Sequence, residues 1–191
     1  VHLLLLPRDP AIYYQHPLTY LSTHPSFLAE VRTRVERLKR LAARELRRQY
    51  GSHSALDAPY QSALNELMSS SDNPPSDPEE RDALLPPGRD WLKEIVAGVH
   101  THPSMNHMHI HILSREHSSP WMKHKKHYLS FNTSFLVGVD EFPLEEDSPR
   151  HQPGKWPEWD LVCWRCGANY RNKMAALSRH LEEETEEWKK E

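Results

Sequence analysis

Residues 107–113 read His107-Met108-His109-Ile110-His111-Ile112-Leu113, and the fold turns on how this stretch is read. Side chains along a strand alternate between its two faces, so His107, His109 and His111 share one face while Met108, Ile110 and Ile112 share the other. A histidine-rich surface strand is the plain interpretation. Three titratable imidazoles in register, with His100 and His102 just upstream, point instead to chemistry on an anionic substrate or to a metal.

Working outward, Trp91 to His100 carries Ile95, Val96 and Val99 as candidate buried residues. It leads through Pro103 into the histidine strand, and an antiparallel hairpin is the simplest arrangement. Val1 to Leu6 is a short apolar run ended by Pro7, a buried strand entering a loop. Val31, Val35, Leu38 and Ala42 recur at helical spacing between about Ser26 and Gln49, which predicts an amphipathic helix. Its arginines, from Arg32 to Arg48, are interleaved with Glu30, Glu36 and Glu45, the pattern of a solvated face. From Gly51 to Pro87 the composition shifts to Ser, Asp and Pro, with too little apolar surface to offset ordering entropy. That segment is expected to be a low-complexity insertion, mobile at least in part. Tyr128 to Val139 alternates apolar and polar residues and predicts a strand pair, and Phe142 to Trp159 has the Pro-rich, acidic composition of a linker.

A chain of 191 residues accommodates one domain plus a small module. The boundaries above divide it into residues 1–142, a linker at 143–160 and a module at 161–191. The net charge of −3 excludes a global basic field. Nucleic-acid contact therefore rests on local patches such as Lys123-His124-Lys125-Lys126-His127. No apolar stretch reaches the roughly 18 residues of a membrane span, so the expectation is a soluble protein with no membrane contact. The chain starts at Val1 without an initiator Met or a signal-like run, and an N-terminally short piece of a domain is expected. Two cysteines without a framework of spaced pairs argue for a reducing compartment, nucleus or cytoplasm.

Those cysteines lie in Cys163-Trp164-Arg165-Cys166, followed after thirteen residues by His180 and then by Glu184. A Cys-x2-Cys knuckle can hold one side of a tetrahedral zinc, and two ligands one helical turn apart can close the other. His180 and Glu184 share a helix face at i and i+4. Glu183, at i+3, is the rival fourth ligand. A redox Cys-x-x-Cys needs a thioredoxin-like domain around it, and the short tail does not provide one. Zinc binding instead supplies folding free energy to a tail with little apolar surface.

An imidazole can attack phosphorus to give a covalent nucleotidyl-histidine that water later cleaves. Ser104 can bind a phosphate through its hydroxyl and backbone N–H, and Lys123 and Lys126 lie in the local basic patch.

The sequence resembles the histidine triad (HIT) superfamily, whose His-φ-His-φ-His-φ-φ signature residues 107–113 match, where φ is apolar. Together with a C-terminal Cys-Cys-His-Glu finger it resembles the aprataxins, fungal forms above all. Gly98-Val99-His100, Pro103-Ser104-Met105-Asn106 and Lys123 to Phe131 carry the same likeness. The resemblance implies an α+β HIT-like domain, an antiparallel sheet packed with helices, followed by a small zinc finger. It implies a nuclear hydrolase in DNA repair, removing AMP from the 5′-phosphate of DNA left by abortive ligation. His109 would be the nucleophile, His107 and His111 would orient it and bind phosphate oxygens, and His100 would assist the leaving phosphate. Ser104, Met105, Lys123 and Lys126 would bind substrate; Cys163, Cys166, His180 and Glu184 would hold a structural zinc in a finger that helps dock DNA. HIT domains of this kind have strands ahead of the segment matching Val1 to Leu6, and aprataxins a Phe-Pro-Lys lysine there; neither is in this sequence. Three other functions remain open at this point: a HIT hydrolase of small adenylates, a metal-dependent barrel with the histidines as ligands, and a non-enzymatic zinc-finger adaptor.

Overall fold

A computed structural model describes residues 1–70, 73–116, 122 and 124–191. Four strands, β1 (His2–Leu5), β2 (Ile95–His100), β3 (Ile110–Ser114) and β4 (Leu136–Gly138), form one antiparallel sheet in the order β1-β3-β2-β4. β1 and β2 flank the central β3, with Leu4 opposite His111 on one side and Gly98 opposite His111 on the other. Continuing that register puts His100 across from His109.

Each face of the sheet has its own use. Ile95, Val99, Ile110, Ile112 and Val137 point to one side and enter the main core. Against them pack α1 (Pro17–Thr23) and α2 (Pro25–Tyr50), with Leu28, Val31, Val35, Ala42 and Leu46 buried along α2. The opposite face carries the histidines. On α2, Arg34 pairs with Glu30 and Arg48 with Glu45, as a solvated face requires.

The segment expected as a low-complexity insertion contains two helices instead, α3 (Ala58–Ser70) and α4 (Pro78–Ala83). Asp57, with no exposed surface, holds its start in place. Its carboxylate accepts from the Arg89 backbone N–H at 2.8 Å and from the Trp91 indole N–H at 2.6 Å. Tyr60 is buried and donates to Asp82, 2.6 Å away.

Residues 128–139 also differ from expectation. They begin in helix α5 (Lys125–Asn132), and only Leu136–Gly138 forms a strand. Tyr128 and Leu129, adjacent and both buried, face a second core that they share with Leu161, Cys163, Leu177 and Leu181. A strand would send those neighbours to opposite sides. The stretch from Phe142 to Trp159 packs along the body of the protein: Phe142 is buried, Leu144 N–H donates to Ser22 at 3.0 Å, and Trp156 stacks 4.1 Å from Phe135.

The tail is a two-stranded hairpin, β5 (Leu161–Val162) and β6 (Asn169–Arg171), followed by α6 (Met174–Lys190). Its last turn belongs to the main core. Trp188 is buried with its ring 5.6 Å from Trp91 and 5.5 Å from Tyr50.

Candidate active site and zinc-ligand cluster

His100 at the end of β2, His109 just ahead of β3 and His111 within it each offer one ring nitrogen, and the three nitrogens lie within 4.8 Å of one another. Gly98, in the strand that carries His100, lets β4 lie close against β2. A Cβ there would sit 2.6 Å from the Val137 carbonyl, so any side chain would push β4 away from β2.

Hydrogen bonds fix the chemical state of the rings. His109 Nδ1 is 2.8 Å from the His107 carbonyl oxygen, which can only accept. Nδ1 therefore carries a proton, and whenever the ring is uncharged Nε2 presents the lone pair. His111 Nδ1 is 2.9 Å from His2 Nε2, and His100 bonds the Ser130 backbone. Nε2 of both His100 and His111 is buried with no hydrogen-bond partner among the described residues.

Burial governs the protonation of His100 and His111. It pushes His111 down to about 2 and His100 to about 4, with repulsion from the neighbouring histidines adding to both and the Ser130 bond opposing it at His100. His2 is lowered by burial, by the N-terminal ammonium and by His109. At neutral pH the free site thus holds uncharged imidazoles at His100 and His111. Phe131 closes it, its ring 4.9 Å from His100 and 5.1 Å from His111.

His107 stands apart from this group. The regular strand begins only at Ile110, and the His107 ring packs edge-on against Tyr13 at 4.4 Å. Ser104 and Met105 are exposed on the loop joining β2 to β3. Met105 lines a groove of about 480 Å³ with Tyr14, His102, Asn106 and Met108. Lys126 is exposed on α5, and Lys123 lies outside the described residues. His2 and Phe131 complete the site, and neither was singled out from sequence. The alternation of His2 with Leu3 is a signal, but only the strand order reveals that β1 lies beside β3.

The second cluster joins Cys163, Cys166, His180 and Glu184, again with ligand atoms within 4.8 Å of one another. Cys166 Sγ is 3.1 Å from His180 Nε2, which is 3.3 Å from Glu184 Oε1. Gly167, with φ +75°, turns the knuckle, and its N–H donates to the Cys163 carbonyl at 3.0 Å. Two thiols, an imidazole and a carboxylate are a donor set suited to zinc. Glu183 is exposed and outside the cluster. Arg165 donates to Glu184 Oε2 at 2.5 Å and so orients the carboxylate towards the other three ligands.

Residues 85–127 match the scavenger mRNA decapping enzyme C-terminal binding family, and residues 132–187 match the C2HE / C2H2 / C2HC zinc-binding finger family. An aprataxin-like protein of Schizosaccharomyces pombe is 31% identical over 188 residues, covering 98% of this chain and 67% of the relative. The chain belongs to the aprataxin-like family. A second aprataxin-like protein, from Saccharomyces cerevisiae, is 29% identical over 95% of this chain and 76% of its own length. The crystal structure of the aprataxin ortholog Hnt3 from Schizosaccharomyces pombe superimposes with a TM-score of 0.70 at 29% identity, covering 98% of this chain and 76% of that one. Hnt3 in complex with DNA gives 0.69, at 29% identity over 98% and 78% of the two chains. The aprataxin-like assignment accounts for both clusters: the histidines belong to the HIT domain, and the Cys-Cys-His-Glu set is a structural zinc site.

Proposed function

We propose that the chain is a DNA 5′-adenylate hydrolase, which removes AMP from the 5′-phosphate of DNA left by abortive ligation. It would act in the nucleus, in single-strand break repair. The observation that carries this reading is the tautomer of His109: with Nδ1–H held by the His107 carbonyl, Nε2 is the lone pair available to attack phosphorus. His109 Nε2 bonds to the AMP phosphorus as the phosphoanhydride P–O bond breaks, and the DNA 5′-phosphate departs. Water then attacks the same phosphorus, the N–P bond breaks, and AMP leaves with His109 restored.

His111 lines the phosphate position, and His107 orients His109 through its backbone carbonyl. His100 is neutral in the free site, so its assistance depends on the anionic substrate raising its proton affinity. A 5′-phosphate is stable as an anion, which keeps the demand for an acid small. Met105, which lines the groove with His102, and Ser104 next to it on the same loop are assigned to substrate, with Lys123 and Lys126 as phosphate contacts. The zinc finger is assigned to DNA docking. The solved relatives include Hnt3 in complex with DNA and Hnt3 in complex with DNA and guanosine, which supports a nucleic-acid substrate.

The test is AMP release from a 5′-adenylated nick. His109→Ala is expected to abolish turnover, and wild-type protein quenched during the reaction is expected to carry acid-labile AMP. Turnover by the variant at the wild-type rate refutes the assignment. A faster rate on a small adenylate than on the nick would favour the small-molecule HIT hydrolase.

A further inference from the structure

Helix α5 (Lys125–Asn132) stands between the two clusters and touches both. On the histidine side, the Ser130 backbone bonds His100, and the Phe131 ring lies 4.9 Å from that of His100, 5.1 Å from His111 and 5.4 Å from His2. On the zinc side, Tyr128, 1% exposed, reaches the backbone of the cysteine knuckle. Its hydroxyl donates to the Val162 carbonyl at 2.8 Å and accepts from the Trp164 N–H at 3.1 Å, the residues on either side of Cys163. A phenol can give and take a hydrogen bond at once, which phenylalanine cannot. Trp164 itself packs against both cores.

We propose that Tyr128 is a positioning residue: clamped by the knuckle, its hydroxyl fixes α5 and through it sets Phe131 and the Ser130 backbone against His100 and His111. Three residues separate Tyr128 from Phe131, about 4.5 Å along a helix axis. A helix of two turns moves as one body, so a displacement at the knuckle reaches the rings that cover the histidines. The remaining ties of α5 to the finger, Lys125 bonded to Asn172 and Leu129 in the second core, hold the helix near its place but do not touch the knuckle backbone. The finger thus has a second duty besides docking, to place one wall of the histidine site. The effect on turnover rests on the deadenylase reading; the placement of the rings does not.

The test uses the whole zinc-loaded chain and Tyr128→Phe, which keeps the aromatic ring and removes the clamp. Its first readout is the NMR of the histidine side chains, because the Phe131 ring current marks the ring protons of His100 and His111. At full zinc content those resonances are expected to move, while that of His24, stacked on Tyr20 away from α5, stays. A tyrosine that only fills the core predicts lower stability with the histidine resonances unmoved, and that result overturns the proposal. If Tyr128→Phe does not take up zinc, Tyr128→4-aminophenylalanine replaces it, keeping a donor for Val162 but offering Trp164 a poor acceptor, and the same resonances must move. On a 5′-adenylated nick, kcat of Tyr128→Phe is expected to fall about tenfold with KM unchanged, since misplaced groups slow the chemistry and not the binding. In a Phe131→Leu background the same change should cost less than about twofold, and losses that simply multiply would overturn the route through Phe131. Moved resonances with unchanged kcat overturn the effect on turnover. Wild-type protein that releases no AMP refutes the deadenylase reading, and moved resonances in Tyr128→Phe then leave the positioning role standing.

Discussion

Replacing Arg89 should loosen the tail from the sheet domain. Its guanidinium, 5% exposed, donates to the Trp188 carbonyl at 2.5 Å and to Glu94 at 2.9 Å. It also lies 4.4 Å above the Trp91 ring and 4.6 Å from that of Trp188. Arg89→Met keeps most of the volume and removes the charge. The carbonyl then loses a charge-assisted bond of about 1.5–3 kcal/mol, and Glu94 is left half-buried without its partner. Breaking a buried pair on one side costs about 3–5 kcal/mol in total. With an m value of about 2 kcal/mol per molar urea, the midpoint should drop by about 1.5–2.5 M at constant zinc. Arg89→Lys, which keeps the charge without the planar fork, should fall between. A loss below about 1 kcal/mol in Arg89→Met would show that the edge-to-face tryptophans alone hold α6, and the coupling ascribed to Arg89 would be refuted.

Glu184→Gln should weaken zinc binding at least tenfold in a competition titration while Glu183→Gln leaves it unchanged, since only Glu184 reaches the cluster. Gly98→Ala should lower thermal stability by about 1–3 kcal/mol through its clash with the Val137 carbonyl; an unchanged melting temperature would show that β4 yields freely. His100 and His111 have native affinities for protons below those of the unfolded chain. Their contribution to stability is therefore whole above the unfolded value near 6.5 and is lost as the pH falls from there towards about 4 for His100 and about 2 for His111. Between pH 6.5 and 5.5 each should remove about 1 kcal/mol, so urea midpoints measured without added metal should fall in the wild type and fall less in His111→Gln.

The parts of the fold legible from sequence were those whose signal is local. Strand alternation through Ile110–Leu113 and helical spacing through Val31, Val35 and Ala42 each need only their own neighbourhood, while the strand expected from His107 starts three residues later and leaves His107 against Tyr13. Helix α3 was missed because its stripe of Tyr60, Leu64 and Leu67 is short, set among Ser, Asp and Pro, and buries only Tyr60; its anchors are the distant Arg89 and Trp91 on Asp57. Helix α5 was misread because Leu129 and Phe131 alternate by accident: Leu129 enters one core and Phe131 covers the histidines. In the site, the histidines came from spacing, and the choice of Glu184 over Glu183 came only with the phase of α6, whose Leu177 and Leu181 face the core. His2 was out of reach, since its partner His111 lies 109 positions away.

Helix α6 carries His180 and Glu184 in the zinc cluster and, one turn later, Trp188 in the core of the sheet domain. A cut at residue 161, drawn to remove only the finger, would also take Trp188 away from Trp91 and Tyr50. Loss of a buried tryptophan costs about 3–5 kcal/mol, so activity lost in such a truncation would measure the collapse of the histidine site as much as any loss of docking. Dissecting this protein therefore calls for substitutions at the zinc ligands with Trp188 left in place.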